Sequence, residues 1–353
     1  MLKRKRQWSN QLILNDIPLS KGTTSIALED ILEKLIIGNV FIYIEEENEI
    51  ISYPLLKMEQ RSLGKAETES LVLGPQMAFT ESLSANMNVV RGIIRTSDLV
   101  LEKIIIGKRI PYEVRVVYLK SLANETDIET MRQRVNDLDV DELEDVTIVK
   151  QYIEDSSTNI FPQFYATELP DRFCYSVSKG KIGLLGDNSP IGIIAPSTFF
   201  SFFESPEDLY MRWGAGSFLR SLRFLAIFIA IIITPTYVAI VTYQFELLPT
   251  KLLVTIGKSR SQVPFPPIIE ALLIEFFIEL LREAGARLPT KVAQTMGIVG
   301  GLVIGEAAVQ AGITSNILII VVAASALASF TAPSYLMGTS LRVIRFPLML
   351  ICC

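Results

Sequence analysis

Phe224-Leu-Ala-Ile-Phe-Ile-Ala-Ile-Ile-Ile-Thr-Pro-Thr-Tyr-Val-Ala-Ile-Val-Thr-Tyr-Gln-Phe245 contains no charged residue. A run of ~20 apolar residues is long enough to cross the ~30 Å hydrocarbon core as a helix. In lipid, every backbone N–H and C=O must be paired within its own element, so the run is predicted as helical. A second uncharged stretch extends from Ala307 to Leu341. Working outward, the sequence reads as an α/β soluble N-terminal domain followed by an α-helical polytopic membrane domain.

Composition agrees with that division. The 353 residues are 50% hydrophobic, with mean hydropathy +0.38. The apolar excess lies after Ser217, and charge is concentrated before Arg223. A net charge of -5 gives no electrostatic basis for binding nucleic acid. The cysteines, Cys174, Cys352 and Cys353, form neither a disulfide framework nor a metal-ligand spacing. With no histidine in the chain, His-based triads and zincin motifs are excluded. Ile106-Gly-Lys-Arg109 lacks the upstream glycine and the Ser/Thr of a phosphate loop. The acidic cluster of Asp137, Asp139, Asp141, Glu142, Glu144 and Asp145 lacks calcium-loop spacing and reads as a solvated helix face. The expectation is no enzyme, no cofactor and no metal.

Residues 1–25 form a basic tail, beginning Met1-Leu-Lys-Arg-Lys-Arg6, with no apolar region of a cleavable signal behind it. It reads either as solvated or as a contact with anionic lipid. Residues 26–210 form the soluble α/β domain, read as two small lobes with a joint near 95–110. Helical spacing covers 26–37, and Val40–Ile44 and Ile50–Leu55 read as strands around an acidic turn at Glu45–Asn48. Helices are predicted over Phe79–Arg95, Thr126–Val135 and Asp141–Tyr152, with a strand over Val114–Leu119. Lys181–Gly186 and Ile191–Ala195 flank the turn signal Asp187-Asn-Ser-Pro190.

Residues 211–353 form the membrane domain. Its first span is expected over Phe218–Thr242, kinked at Pro235. Arg212, Arg220 and Arg223 before it favour a cytoplasmic N-terminal domain, although Lys251, Lys258 and Arg260 beyond it weaken that bias. Pro266–Leu281 is apolar yet holds Glu270, Glu275 and Glu279. Glu275 and Glu279 share one helical stripe with Glu283. Such a helix lies along the interface, joins a bundle as a polar-striped member, or lines an aqueous path, where Glu275 and Glu279 would be a cation vestibule. A span over Val292–Gly312 is rich in small residues. Gly297, Gly301 and Gly305 make successive GxxxG steps, which permit close helix approach. Glu306 and Gln310 in it serve either interhelical hydrogen bonding or a polar lining. A third span is expected over Ile317–Thr331. Phe346–Cys353, after Arg342 and Arg345, looks like the start of another, so the domain is expected to be truncated at its C-terminus.

From about residue 30 onward the order of several short stretches is specific. They include Glu67-Thr-Glu-Ser70, Gly74-Pro75, Phe79-Thr-Glu81, Phe161-Pro-Gln163, Glu168-Leu-Pro-Asp-Arg172 and Pro196-Ser-Thr-Phe-Phe200. Further along come Ser205-Pro-Glu-Asp208, Val263-Pro-Phe-Pro266 and Gly297-Ile-Val-Gly-Gly301. The chain resembles the A subunits of spore germinant receptors, the GerA family of endospore-forming bacteria. The resemblance implies a subunit of the spore inner membrane. Its implied partners are a transporter-like B subunit, a lipoprotein C subunit, membrane lipid and further copies of itself in an oligomer. It also implies a gated channel releasing cations on nutrient sensing, with Gly297, Gly301, Gly305, Glu306 and Gln310 as candidate pore or gate lining. A membrane scaffold, or a transporter-like subunit without its own conduction path, is the alternative.

Overall fold

Gly107, at φ 98°, turns the chain between two strands rich in β-branched residues, β4 (Leu99–Ile106) and β5 (Tyr112–Leu119). They pair antiparallel along their whole length, from Leu99 opposite Leu119 to Ile106 opposite Tyr112. The computed structural model describes residues 23–25, 27–36, 39–43, 50–54, 66, 69 and 73–352. Its chain divides into two units, described separately below. The first is Met1–Leu71, Pro75–Ser157 and Gln163–Ser197; the second is Val72–Gly74, Thr158–Pro162 and Thr198–Cys353.

In the first unit a small sheet has the order β1-β3-β2, from β1 (Thr23–Ser25), β2 (Asn39–Ile42) and β3 (Ile50–Pro54), with helix α1 (Leu28–Ile36) between β1 and β2. The expected turn at Glu45–Asn48 lies outside the described residues. A larger sheet has the order β4-β5-β7-β8-β6, completed by β6 (Tyr165–Thr167), β7 (Ile182–Gly186) and β8 (Gly192–Ala195). All its neighbouring strands are antiparallel. Within the span 95–110 read as a joint, residues 99–106 form the edge strand β4, paired with β5 along its whole length.

Helices cover the large sheet. Tyr112, Val114, Val116 and Tyr118 alternate along β5 and meet α3 (Glu125–Asn136) and α4 (Val146–Ile153) through Ile128, Met131, Val135, Val146, Val149 and Ile153. Helices α2 (Leu83–Ile93) and α5 (Pro170–Ser178) also pack against the sheet. Phe173 of α5 lies over Gly183 and Gly192; a Cβ on Gly183 would overlap its ring, and one on Gly192 would come within 2.7 Å. These two strand glycines create the seat for one aromatic ring. Phe79 meets it edge-on at 5.5 Å.

Two helices start later than their periodicity predicts, because caps compete with it. Ser82 Oγ accepts from Ala85 N and fixes the start of α2, leaving Phe79 and Thr80 outside the helix. The Asp145 carboxylate accepts from Thr147 N at 2.5 Å, so α4 begins at Val146 rather than Asp141.

The second unit is helical. After the short helix α6 (Glu207–Tyr210) come α7 (Trp213–Tyr243), α8 (Thr250–Arg260), α9 (Pro267–Arg287), α10 (Thr290–Gln310), α11 (Asn316–Ser329) and α12 (Tyr335–Ile351). Among the described residues, α7 is the helix long and apolar enough to cross a membrane; its 31 residues reach about 46 Å. Helix α11 lies within two residues of the bounds expected for the third span, Ile317–Thr331; its 14 residues reach about 21 Å, less than the ~30 Å hydrocarbon core. Phe346, read as the start of a further span, lies inside α12, which runs continuously through Arg342 and Arg345. Val238, Ala271, Ile274, Ala308, Leu318, Val322 and Met349 form the unit's core. Ser325 donates to Ala230 O at 3.1 Å, joining α11 closely to α7.

Candidate functional site: buried ion pairs of the helical unit

Helix α9 buries Pro267, Glu270, Ala271, Ile274 and Glu275, an i, i+3, i+4, i+7, i+8 face that would be ordinary if two members were not carboxylates. Two of the acids marked in this segment, Glu270 and Glu275, thus face other helices of the unit. Glu275 Oε2 accepts from Arg345 Nη1 of α12 at 2.6 Å, and its Oε1 accepts from Thr234 Oγ1 of α7 at 3.1 Å. Arg345 and Glu275 side chains are 2% and 1% exposed, so the pair is effectively removed from water. Thr234 immediately precedes Pro235, where α7 cannot donate its own backbone hydrogen bond. One carboxylate therefore ties three helices at the proline position.

One turn along α9, Glu279 Oε1 takes Arg282 Nη1 at 2.6 Å and stands 3.6 Å from Arg342 Nε. Arg282 Nη2 donates to Ser329 Oγ at 3.3 Å, and its guanidinium lies 4.8 Å from the Phe330 ring centroid. As a cation vestibule, Glu275 and Glu279 needed unspent negative charge. In this conformation both are already paired with arginines, so they offer no net negative field. Four buried guanidinium nitrogens, Arg282 Nε, Arg342 Nε, Arg345 Nε and Arg345 Nη2, have no hydrogen-bond acceptor among the described residues. Each such donor costs roughly 1–3 kcal/mol of desolvation.

The other inward acid, Glu270, accepts from Arg260 Nε at 3.3 Å and from Ser315 N at 3.2 Å. Ser315 is the N-cap of α11, and a carboxylate at a helix N-terminus is favoured by the exposed N–H groups and the dipole. Nearer the start of α7, Arg223 makes two hydrogen bonds to Asp208 at 3.0 and 3.1 Å and donates to Phe203 O. Arg220 pairs with Glu204 at 2.8 Å. Two of the three arginines before the first apolar run are thus held by local acids.

On α10, no other described residue approaches a Cβ position at Gly297, Gly301 or Gly305 within 4 Å, whereas Gly300 faces Leu281 at 2.7 Å. Within one chain the i, i+4, i+8 glycine stripe is an open face and Gly300 is the contact to α9. Glu306 is exposed on the same helix and accepts from Gln310 Nε2 at 3.1 Å.

In the first unit, Glu69 is a half-buried acid held by two hydroxyls. Its Oε1 accepts from Tyr165 OH at 3.1 Å and its Oε2 from Thr167 Oγ1 at 2.6 Å. Burial pushes its carboxyl above the ordinary range, opposed by the charge of Arg172, which stacks 3.9 Å over the Tyr165 ring. Burial likewise pushes the Cys174 thiol up to about 12, which makes it an inert core group. Among the described residues no cluster of potential metal ligands occurs.

Sequence reasoning singled out Glu275 and Glu279 but missed their partners Arg345, Arg282 and Arg342. A signal existed: Arg342 and Arg345 lie i, i+3 in an apolar segment, and charges so placed require partners. Pairing across helices, however, has no signature in local spacing.

The α/β unit and the helical unit with its inward ion pairs define a modular two-unit protein. The chain belongs to the GerA family: residues 1–353 match the family described as Bacillus/Clostridium GerA spore germination protein. It is 44% identical to spore germination protein GerQA of Bacillus cereus over 347 residues, covering 98% of this chain and 70% of that protein. It is 40% identical to spore germination protein A1 of Bacillus subtilis (strain 168) over 315 residues, covering 89% of this chain and 65% of that one. The chain thus spans about two thirds of these relatives' length. The crystal structure of the N-terminal domain of the A subunit of the Bacillus megaterium spore germinant receptor GerK3 is similar at 27% identity and TM-score 0.39, over 54% of this chain and 66% of that one.

Proposed function

We propose that this chain is the A subunit of a nutrient-sensing germinant receptor in the spore inner membrane. In this reading its helical unit contributes to an oligomeric gated channel that releases cations. A transporter-like B subunit and a lipoprotein C subunit are its partners. Membership of the GerA family supports the receptor role, and the membrane-capable helix Trp213–Tyr243 supports the location.

The observation that carries the channel reading is the open glycine face of Thr290–Gln310. Cβ positions at Gly297, Gly301 and Gly305 meet nothing among the described residues, so their small size is available for packing between copies. Glu306 and Gln310 then lie on the same helix as polar lining. Ligand binding at a partner acts by favouring one of two packings of this helix, which is the physical requirement for a gate. Reconstitution of the full-length subunit in liposomes tests the reading. Cation flux that is lost in Glu306→Gln and Gly301→Leu supports it, and flux unchanged in both defeats it. A scaffold or a transporter-like subunit without a conduction path gives no flux from the unmodified protein.

A further inference from the structure

We propose that Arg282, Arg342 and Arg345 form a binding site for a phosphate-bearing anion in the helical unit. The inference stands on the local geometry and does not depend on channel activity. Three guanidiniums face two carboxylates, Glu275 and Glu279, so one positive charge is left over. Glu279 answers two arginines with the same oxygen, at 2.6 Å from Arg282 Nη1 and 3.6 Å from Arg342 Nε, the second beyond hydrogen-bond distance. Four nitrogens of the three side chains are buried without an acceptor, two of them on Arg345, which is 98% buried. Arg342 also lies within electrostatic reach of both Arg282 and Arg345.

Buried like charges with unspent donors call for a further anion, and the planar guanidinium fork matches the oxygens of phosphate. Arg282 and Arg342 retain 17% and 11% of their side-chain exposure, which gives the direction of approach; Arg345 closes the inner end. The Phe330 ring flanks Arg282 and keeps that side apolar. The shared chemistry is a phosphate oxygen set, from either a phospholipid headgroup or free inorganic phosphate.

Two measurements on the purified full-length chain in detergent separate these sources. Native mass spectrometry follows retention of phosphatidylglycerol, and thermal unfolding follows stabilisation by inorganic phosphate against chloride at matched ionic strength. Phosphatidylglycerol adducts without a phosphate effect identify a headgroup site, and stabilisation by phosphate alone identifies a free-anion site. In either case Arg342→Gln, which leaves the Glu275–Arg345 pair intact, is expected to weaken binding at least tenfold. Arg282→Lys, which keeps the charge but loses the fork, provides a second variant should the first fail to fold, with binding between wild type and none. The proposal is overturned if neither probe binds, or if binding is undiminished in the folded variants.

Discussion

Arg345 Nη1 stands 2.6 Å from Glu275 Oε2, with both side chains sealed from solvent and the two residues 70 positions apart in sequence. The pair joins α12 to α9, and through Thr234 to the proline position of α7. A buried pair adds little net stability over a well-packed apolar replacement, but removing one partner strands a charge.

Arg345→Met is therefore expected to destabilise the helical unit by about 3–5 kcal/mol. Glu275→Gln combined with Arg345→Met is expected to recover most of that loss, because no uncompensated charge remains. Thermal unfolding of the four corners of this double-mutant cycle in detergent measures the coupling. Equal, additive losses would show that the two residues act independently.

The glycines of the two units are expected to respond oppositely. Gly183→Ala places a methyl group into the Phe173 ring, and overpacking of this kind costs about 1–3 kcal/mol. Gly297→Ala meets nothing inside the chain and removes a mid-helix glycine, a gain of roughly 0.5–1 kcal/mol. Chemical denaturation of each variant gives the signs. If the glycine stripe is an interface between copies, Gly301→Leu will abolish oligomer formation in cross-linking while leaving the single chain folded.

Glu69 makes stability depend on pH in a defined direction. Burial raises its folded-state value above the ordinary 4.5, so between the two values the folded chain holds a proton that the unfolded chain has released. The contribution of this group is greatest below 4.5 and is lost as pH rises through the folded value. Glu69→Gln is expected to flatten that part of the profile and to narrow the gap between acidic and neutral stability. Melting temperature of wild type and variant across a pH series is the check; parallel profiles would rule the assignment out.

Asn86 is the polar pin of the α2 entry. Its Oδ1 accepts from Thr80 N at 2.8 Å, and its Nδ2 donates to Thr80 O at 2.6 Å. The side chain is fully buried, so Asn86→Ala leaves both Thr80 backbone groups without partners, at roughly 1–3 kcal/mol each. Equilibrium unfolding monitored by circular dichroism measures the loss, and faster amide exchange at Thr80 is expected to accompany it.

The sequence by itself determined where several of the elements fall. Alternating β-branched residues marked β5, the apolar period marked α3, and Asp187-Asn-Ser-Pro190 marked the β7–β8 turn, with Asn188 at φ 53°. It also determined that Trp213–Tyr243 is a membrane-capable helix, because length and lack of charge are local properties. Only tertiary structure decided that residues 99–106 are an edge strand, since a ladder needs the partner strand β5 to exist. Likewise, only packing showed that Glu275 and Glu279 are answered by Arg345, Arg282 and Arg342, and that Gly297, Gly301 and Gly305 face away from their own chain. Periodicity records which residues share a face of one element; which faces meet is fixed by complementarity of charge and shape between segments far apart in the chain.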